Sequence, residues 1–360
     1  MINIRIVVCK TFIFLGIYFS FALIAYSQEE NPDYDLFKSQ QILKIHLTFH
    51  IDSLLNNRNV DTKDHLGILT YFETDGRPTD IRVIVRIRGN FRKNPDNCSF
   101  PPLRLDFLTD NSEDRLFRGL EWLKLVTHCQ TDSSKFEQFV LQEYLLYKTY
   151  NIISPFSFNV RLLDIKYIDS SGSVPTIQSY GFFIERPKQM AQRNNGELVK
   201  TTDVIFYKDL DKNSLVKLSL FQYMIWNNDW SVALLHNVKF VKTTIISSPI
   251  PVPYDFDWAG IVSAPYRVRY ITDNEENVAD VSYMGICLKK KELIPFFDFY
   301  FGVKNKIYSL YRDFPYLDDV QKERTLHMYD DFYSLIKKPA KANSKFKETC
   351  FSKKSVQENK

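Results

Sequence analysis

The sequence predicts an α+β fold with two lobes, a β-rich lobe over residues 35–185 and a mainly helical lobe over residues 186–338. Three observations support this division. Apolar and polar residues alternate with a period of two through much of the first half, which is typical of half-buried strands. Apolar residues recur at helical spacing in the second half, and a polar, irregular segment, residues 186–211, separates the two patterns. A cleft is therefore expected where the lobes connect, near Glu185.

The β-rich lobe is predicted strand by strand from this alternation. Asp75 and Gly76 lie between two apolar runs, a pattern typical of a β-hairpin. One long helix interrupts the strands, because Asp132 can cap it and its apolar residues fall largely on one stripe. The predicted strands cover residues 43–49, 66–72, 81–88, 103–107, 123–126, 158–168 and 180–184, and the helix covers residues 133–150.

The second lobe is predicted to be mostly helical. Its helices are expected over residues 215–226, 293–303, 306–311 and 319–336, with short strands at 238–241 and 251–254. The tail, residues 339–360, is rich in lysine and poor in apolar residues, so we expect it to be disordered.

The amino terminus has the pattern of a secretory signal peptide. Arg5 and Lys10 precede an uncharged apolar run, residues 11–26, and a polar segment begins at Gln28. This run is shorter than the roughly 20 residues that a spanning helix requires. Residues 1–27 are therefore predicted to be removed, the alternative being an uncleaved membrane anchor. The mature chain would carry no membrane span and would be exported to the periplasm, the cell surface or the medium.

Composition limits the partners and the redox state. The chain has 47 basic and 43 acidic residues, so its charge gives no reason to expect nucleic acid as a partner. In an oxidising compartment the four cysteines of the mature chain allow three pairings. Cys98 with Cys129 is favoured because both lie beside predicted strands of one sheet, and free buried thiols are the alternative.

The residues best suited to chemistry lie just past the expected cleft. Asp255 and Asp257 are separated by one residue at a strand end, where side chains two apart face the same side. Together with an amide oxygen such as that of Asn237 they could hold Mg²⁺, which favours oxygen ligands, water and phosphate. Asp229 would then be free to orient or deprotonate a hydroxyl group. Taken singly, each residue is equally well explained as a helix cap or a turn.

Several short motifs resemble, in the same order, those of the CotH-like atypical kinases and, more distantly, the HipA-type kinases. The similarity spans residues 82–257, about half of the chain. The motifs are Val85-Arg86-Ile87-Arg88-Gly89-Asn90, residues 100–105, residues 120–125, Tyr180-Gly181-Phe182-Phe183-Ile184-Glu185, Asn228-Asp229 through His236-Asn237, and Asp255-Phe256-Asp257.

The resemblance implies a two-lobed protein-kinase-like fold and phosphoryl transfer that depends on ATP and Mg²⁺. By position, Asp229 would be the catalytic aspartate, and Asn237, Asp255 and Asp257 would hold the metal. The residues implied to bind the nucleotide are Arg88, Gly89 and Asn90 in a turn over it, Arg104 at the position of the phosphate-gripping lysine, Glu143 orienting a basic residue on a neighbouring strand, and Glu185 near the adenine.

Three features depart from the family pattern. Arg104 stands where a lysine is expected, and Lys124 is a possible substitute for it. The separation of Asp229 from Asn237 is longer than in a typical kinase catalytic loop. Trp258 follows Asp255-Phe256-Asp257 where ordinary kinases have a glycine after the aspartate and phenylalanine.

The leading hypothesis is an exported phosphotransferase that acts on a protein or on a surface hydroxyl group. The alternatives are a catalytically inactive kinase-like binding protein and an exported hydrolase with an acidic site.

Overall fold

The structure, a computed structural model, describes residues 35–58, 64–73, 75–108, 114, 116–131, 134–200, 206–267 and 281–351. The predicted signal peptide, residues 1–27, lies outside these residues. Among the helices that are described, none combines the length and the apolar character that crossing a bilayer requires.

The first half of the chain forms a closed barrel. Each pair of neighbouring strands is antiparallel except β1 and β6, whose parallel pairing closes the barrel. In chain order the strands are β1 (Leu43–Phe49), β2 (His65–Phe72), β3 (Pro78–Ile87), β4 (Leu103–Phe107), β5 (Trp122–Val126), β6 (Val160–Asp169) and β7 (Ile177–Ile184). Around the barrel their order is β1-β2-β3-β4-β5-β7-β6.

The remaining elements pack outside the barrel. A second, three-stranded sheet has the order β10-β9-β8. Its strands are β8 (Gly196–Leu198), β9 (Val238–Thr243) and β10 (Ile250–Pro253). The described helices are α1 (Asp35–Lys38), α2 (Ile51–Asn56), α3 (Ser134–Ile153), α4 (Pro187–Arg193), α5 (Lys212–Met224), α6 (Lys290–Arg312), α7 (Asp319–Ile336) and α8 (Pro339–Lys347).

The prediction of a two-lobed, kinase-like fold with a mainly helical second lobe is wrong. The chain instead builds a closed seven-stranded mixed barrel with helices packed outside it. The error lies in strand partners and not in strand positions, since alternation identifies a strand but leaves its neighbours open. The decisive pair, Leu43 opposite Leu163, joins residues that are far apart in the chain.

Two apolar cores follow from this architecture. One fills the barrel, where β3 turns Ile81, Val83 and Val85 inward. The other lies between the barrel and the outer helices and includes Leu141 and Phe221. Apolar burial in both cores supplies the main favourable free energy of folding.

Two disulfide bonds are present, and the predicted pairing of Cys98 with Cys129 is confirmed. The second bond joins Cys287 to Cys350. Cys350 belongs to a segment that was predicted to be disordered, and that prediction is wrong for residues 339–351. Ala342, Phe346 and Cys350 recur every four residues, so α8 and the turn after it bury one narrow apolar stripe beneath exposed lysines.

Candidate functional site

The antiparallel hairpin of β9 and β10 brings together two of the predicted site residues. Val238 lies opposite Pro253, so the residue before β9 meets the residues after β10. The Tyr254 amide donates to the Asn237 carbonyl at 3.0 Å, and Asp255 follows directly. Asn237 and Asp255 have φ values of 53° and 63°. The left-handed region is uncommon for residues other than glycine and occurs often at functional sites.

Asp229 is held in one orientation by its neighbours. Nδ2 of Asn237 donates to the Asp229 carbonyl at 2.8 Å and to its Oδ2 at 2.9 Å. Nε2 of His236 lies 2.8 Å from Oδ1, and the Asp229 amide donates to Oδ1 of Asn227 at 3.0 Å. The side chain remains 33% exposed. The carboxylate is therefore both oriented and accessible to a substrate.

The same contacts orient the amide of Asn237. Both of its hydrogen bonds to Asp229 use Nδ2, which leaves Oδ1 as the atom that can bind a cation. Asp255 lies next to it across the hairpin and lines a cleft. An amide oxygen and an accessible carboxylate are suitable ligands for Mg²⁺.

Asp255 and Asp257 approach the same guanidinium, that of Arg92, but they differ in exposure. Asp255 is 37% exposed and faces the cleft, whereas Asp257 is buried. The Asp257 carboxylate lies 3.4 Å from Nε of Arg92 and accepts a hydrogen bond from the Tyr266 hydroxyl at 3.0 Å. The alternation of a strand does not extend to these residues, because β10 ends at Pro253 and Asp255 has a positive φ.

Behind Asp255 lies a buried cluster of charges. Glu143, on α3, was predicted to orient a basic residue on a neighbouring strand, but the cation beside it and Asp257 is Arg92, which lies in the loop between β3 and β4. Burial raises the pKa of Glu143, and the charge of Arg92 opposes this shift. Burial likewise raises the pKa of Asp257 against the effect of Arg92. One guanidinium therefore stabilises two buried acids.

The cleft opens between the end of the barrel and the β9–β10 hairpin. Its volume is about 360 Å³, which includes the solvent at its mouth. The lining residues are Arg88, Lys124, Tyr147, Phe158, Ile184, Glu185, Pro187, Lys239, Tyr254 and Asp255.

Three cationic groups converge on this cleft. Nε and Nη2 of Arg88 are buried without a hydrogen-bond partner. The ammonium groups of Lys124 and Lys239 each lie 5.4 Å from the ring centre of Tyr254. In the part of the chain that the structure describes, no carboxylate forms an ion pair with either lysine. Burial and the charge of Arg88 lower the pKa of Lys124 to about 8. Unpaired cations at this density indicate an anion-binding site.

Lys239 was missed by the sequence reasoning. Strand alternation does not link it to Asn237, because Asn237 precedes β9 and has a positive φ.

The other residues predicted to bind the nucleotide are only partly brought together. Arg104 is not among the residues that line the cleft, because its Nε donates to Asp106 at 2.7 Å and its guanidinium lies 4.6 Å from the Trp122 ring centre. Lys124, the possible substitute, lies opposite Arg104 in the barrel and does line the cleft. Gly89, with φ of 82°, forms a turn after β3, and both Gly89 and Asn90 are exposed.

Glu185 lines the cleft, but its carboxylate is already engaged. It pairs with Nε of Arg193 at 2.9 Å and accepts a hydrogen bond from the Asn159 amide at 2.8 Å. The contacts to Arg193 and Asn159 anchor the segment that leaves β7.

His128 lies in a second, smaller cavity beside Arg92, Glu143 and Asp257. It is 2% exposed, neither ring nitrogen has a partner, and its ring stacks on Phe100 at 4.8 Å. Burial lowers the pKa of His128 to about 4. Histidine in an unfolded chain has a pKa of about 6.5.

This difference predicts an acid-dependent loss of stability. Between pH 6.5 and 4 the unfolded state binds a proton at His128 that the native state does not, so the free energy of unfolding falls as the pH falls. The full loss is about 3 kcal/mol. The check is chemical denaturation from pH 7 to 4 of the natural protein and of His128→Phe, which keeps the contact with Phe100. As the pH falls, the natural protein should lose more stability than His128→Phe does. An equal loss of stability in the two proteins would contradict the prediction.

Comparison with known proteins does not identify a relative: no protein-family model matches the chain, and no curated protein does. The resemblance to CotH-like kinases stays a prediction from short motifs, and the site is interpreted from its own geometry.

Proposed function

We propose that the protein is a phosphotransferase that uses Mg²⁺ and an ATP-type donor to phosphorylate a hydroxyl group of a protein or surface component. One observation carries the proposal. The unpaired cations line the cleft together with Asp255 and Tyr254, the Tyr254 amide contacts Asn237, and Asn237 in turn holds the carboxylate of Asp229. Cations, a hard-metal site and a positioned carboxylate are the groups that phosphoryl transfer requires.

Each group has a distinct part in this mechanism. Asn237 and Asp255 would hold Mg²⁺, which neutralises negative charge on the phosphates. Arg88 donates to phosphate oxygens through its unpartnered nitrogens, and charge-assisted hydrogen bonds of this kind are strong. Asp229 accepts the proton of the acceptor hydroxyl, and His236 holds it in position.

The proposed site of action is outside the cytoplasm. The predicted signal peptide supports this, and so do the disulfides Cys98–Cys129 and Cys287–Cys350, since such bonds persist in oxidising compartments.

Calorimetric titration tests the proposal. ATP is titrated with and without Mg²⁺ into the protein, into Asp255→Ala and into Asp298→Ala, which removes an exposed carboxylate far along the chain on α6. Binding that depends on Mg²⁺ is expected in the natural protein and in Asp298→Ala and should be lost in Asp255→Ala. An absence of binding at millimolar ATP would reject the proposal.

A second candidate is a binding protein without catalysis. Both oxygens of Asp229 already have hydrogen-bond partners, His236 and Asn237, so these contacts explain the carboxylate without a catalytic role. This candidate predicts that Asp229→Asn keeps the biological function of the protein, whereas a phosphotransferase would lose it.

A further inference from the structure

The backbone hydrogen-bond donors at the β7 end of the cleft are already used. The Glu185 amide donates to the Asn159 carbonyl at 2.9 Å, and the Arg186 amide donates to Oε1 of Gln189 at 3.0 Å. Pro187 has no N–H group. A purine base presents ring nitrogens that accept hydrogen bonds, so its recognition needs free donors. The segment formed by residues 185–187 offers none through its backbone amides.

The carboxylate at this end is used as well. Glu185 is 4% exposed, its Oε1 pairs with Nε of Arg193 and its Oε2 accepts from Nη2 of Arg193 at 3.0 Å and from the Asn159 amide at 2.8 Å. Breaking these contacts of a buried carboxylate to bind an amino group of a base would be costly. Glu185 therefore supports the fold here and does not select a base.

The charges at the other end of the cleft favour a ligand with several negative charges. Arg88, Lys124 and Lys239 line the cleft together with Asp255, whose carboxylate lies 3.9 Å from Nη2 of Arg92, a residue that does not line the cleft. The two lysines flank the same tyrosine ring, and the charge of Lys239 is close enough to lower the pKa of Lys124. Holding like charges this close is unfavourable unless an anion lies between them.

We infer that the cleft selects its ligand through a chain of phosphates and not through a nucleobase, and that Lys239 is one of the residues that grip this chain. ATP, GTP and inorganic tripolyphosphate then bind with similar affinity. The inference deepens the proposed function by naming the class of phosphate donor, the oligophosphates. It rests on the proposed function only in treating the bound ligand as a donor in the reaction.

The experiment is calorimetric titration of the full chain with ATP, GTP and tripolyphosphate, each with and without Mg²⁺. We expect the three dissociation constants to agree within about threefold. Lys239→Met should weaken all three by about tenfold, because a charge-assisted contact is lost. Lys239→Arg keeps the charge and should retain most of the affinity. Lys242→Met, at an exposed lysine of the same strand, should leave it unchanged. Thermal denaturation of each variant shows whether it is folded.

The outcomes separate this inference from the proposed function. Binding of ATP at least tenfold tighter than that of GTP and tripolyphosphate would overturn the inference while leaving a phosphotransferase in place. Unchanged affinity in Lys239→Met would overturn the assignment of Lys239. Equal binding of all three ligands without transfer of phosphate would support the inference and reject the proposed reaction.

Discussion

Replacing Arg92 with methionine is expected to lower the free energy of unfolding by about 3–5 kcal/mol. Arg92 is 8% exposed and is the cation nearest to the buried acids Asp257 and Glu143. Its removal leaves the buried Asp257 without its ion-pair partner and leaves Glu143 with Arg88 as its remaining cation, and loss of a buried charge partner is among the largest effects of a single substitution. Chemical denaturation at neutral pH measures it.

Two further variants make this result specific. Arg104→Met removes an arginine from an exposed ion pair with Asp106 and should cost less than about 1 kcal/mol. Asp257→Asn combined with Arg92→Met should recover part of the loss, because one of the unpaired charges is removed as well. A loss below about 1 kcal/mol in Arg92→Met alone would show that the cluster does not depend on this cation.

Asp229→Asn is expected to lower the turnover of phosphate transfer by about a thousandfold while ATP remains bound. The amide has the same shape as the carboxylate but has lost the charge and the basicity that the proposed proton transfer needs. Transfer of labelled phosphate to acceptor measures the turnover, and calorimetry measures the binding. Asp298→Asn is the matched control, since its side chain is exposed outside the site. Equal turnover in Asp229→Asn and in the control would contradict the catalytic role of Asp229.

The local features of the fold could be predicted from the sequence because they depend on neighbouring residues. The Asp75–Gly76 turn lies between β2 and β3 as expected, and the helix predicted over residues 133–150 is α3. The pairing of Cys98 with Cys129 follows from strands of one sheet. Closure of the barrel could not be predicted in this way, since the contact of β1 with β6 has no local signal.

In the candidate site, too, local features could be predicted and long-range contacts could not. Asn237 and Asp255 were predicted to lie together. The β9–β10 hairpin brings them close, because the amide of Tyr254, the residue before Asp255, donates to the Asn237 carbonyl. Asp257 was predicted to act together with Asp255, and both carboxylates lie near Arg92, but the burial of Asp257 could not be predicted from alternation, because β10 ends at Pro253. The choice between Arg104 and Lys124 depends on which side chain of a curved sheet faces the cleft, which only the barrel defines.

The parallel pairing of β1 with β6 also sets an order of events for a growing chain. β1 is made early, yet Leu43 finds its neighbour Leu163 only after the strands between them have been synthesised. Until then the outer edge of β1 exposes unpaired backbone groups, which can pair with another chain. Contacts so distant in sequence form slowly, so a chain stopped before residue 160 would be prone to aggregate. A late step in folding, the arrival of β6, thus protects the first strand of the protein.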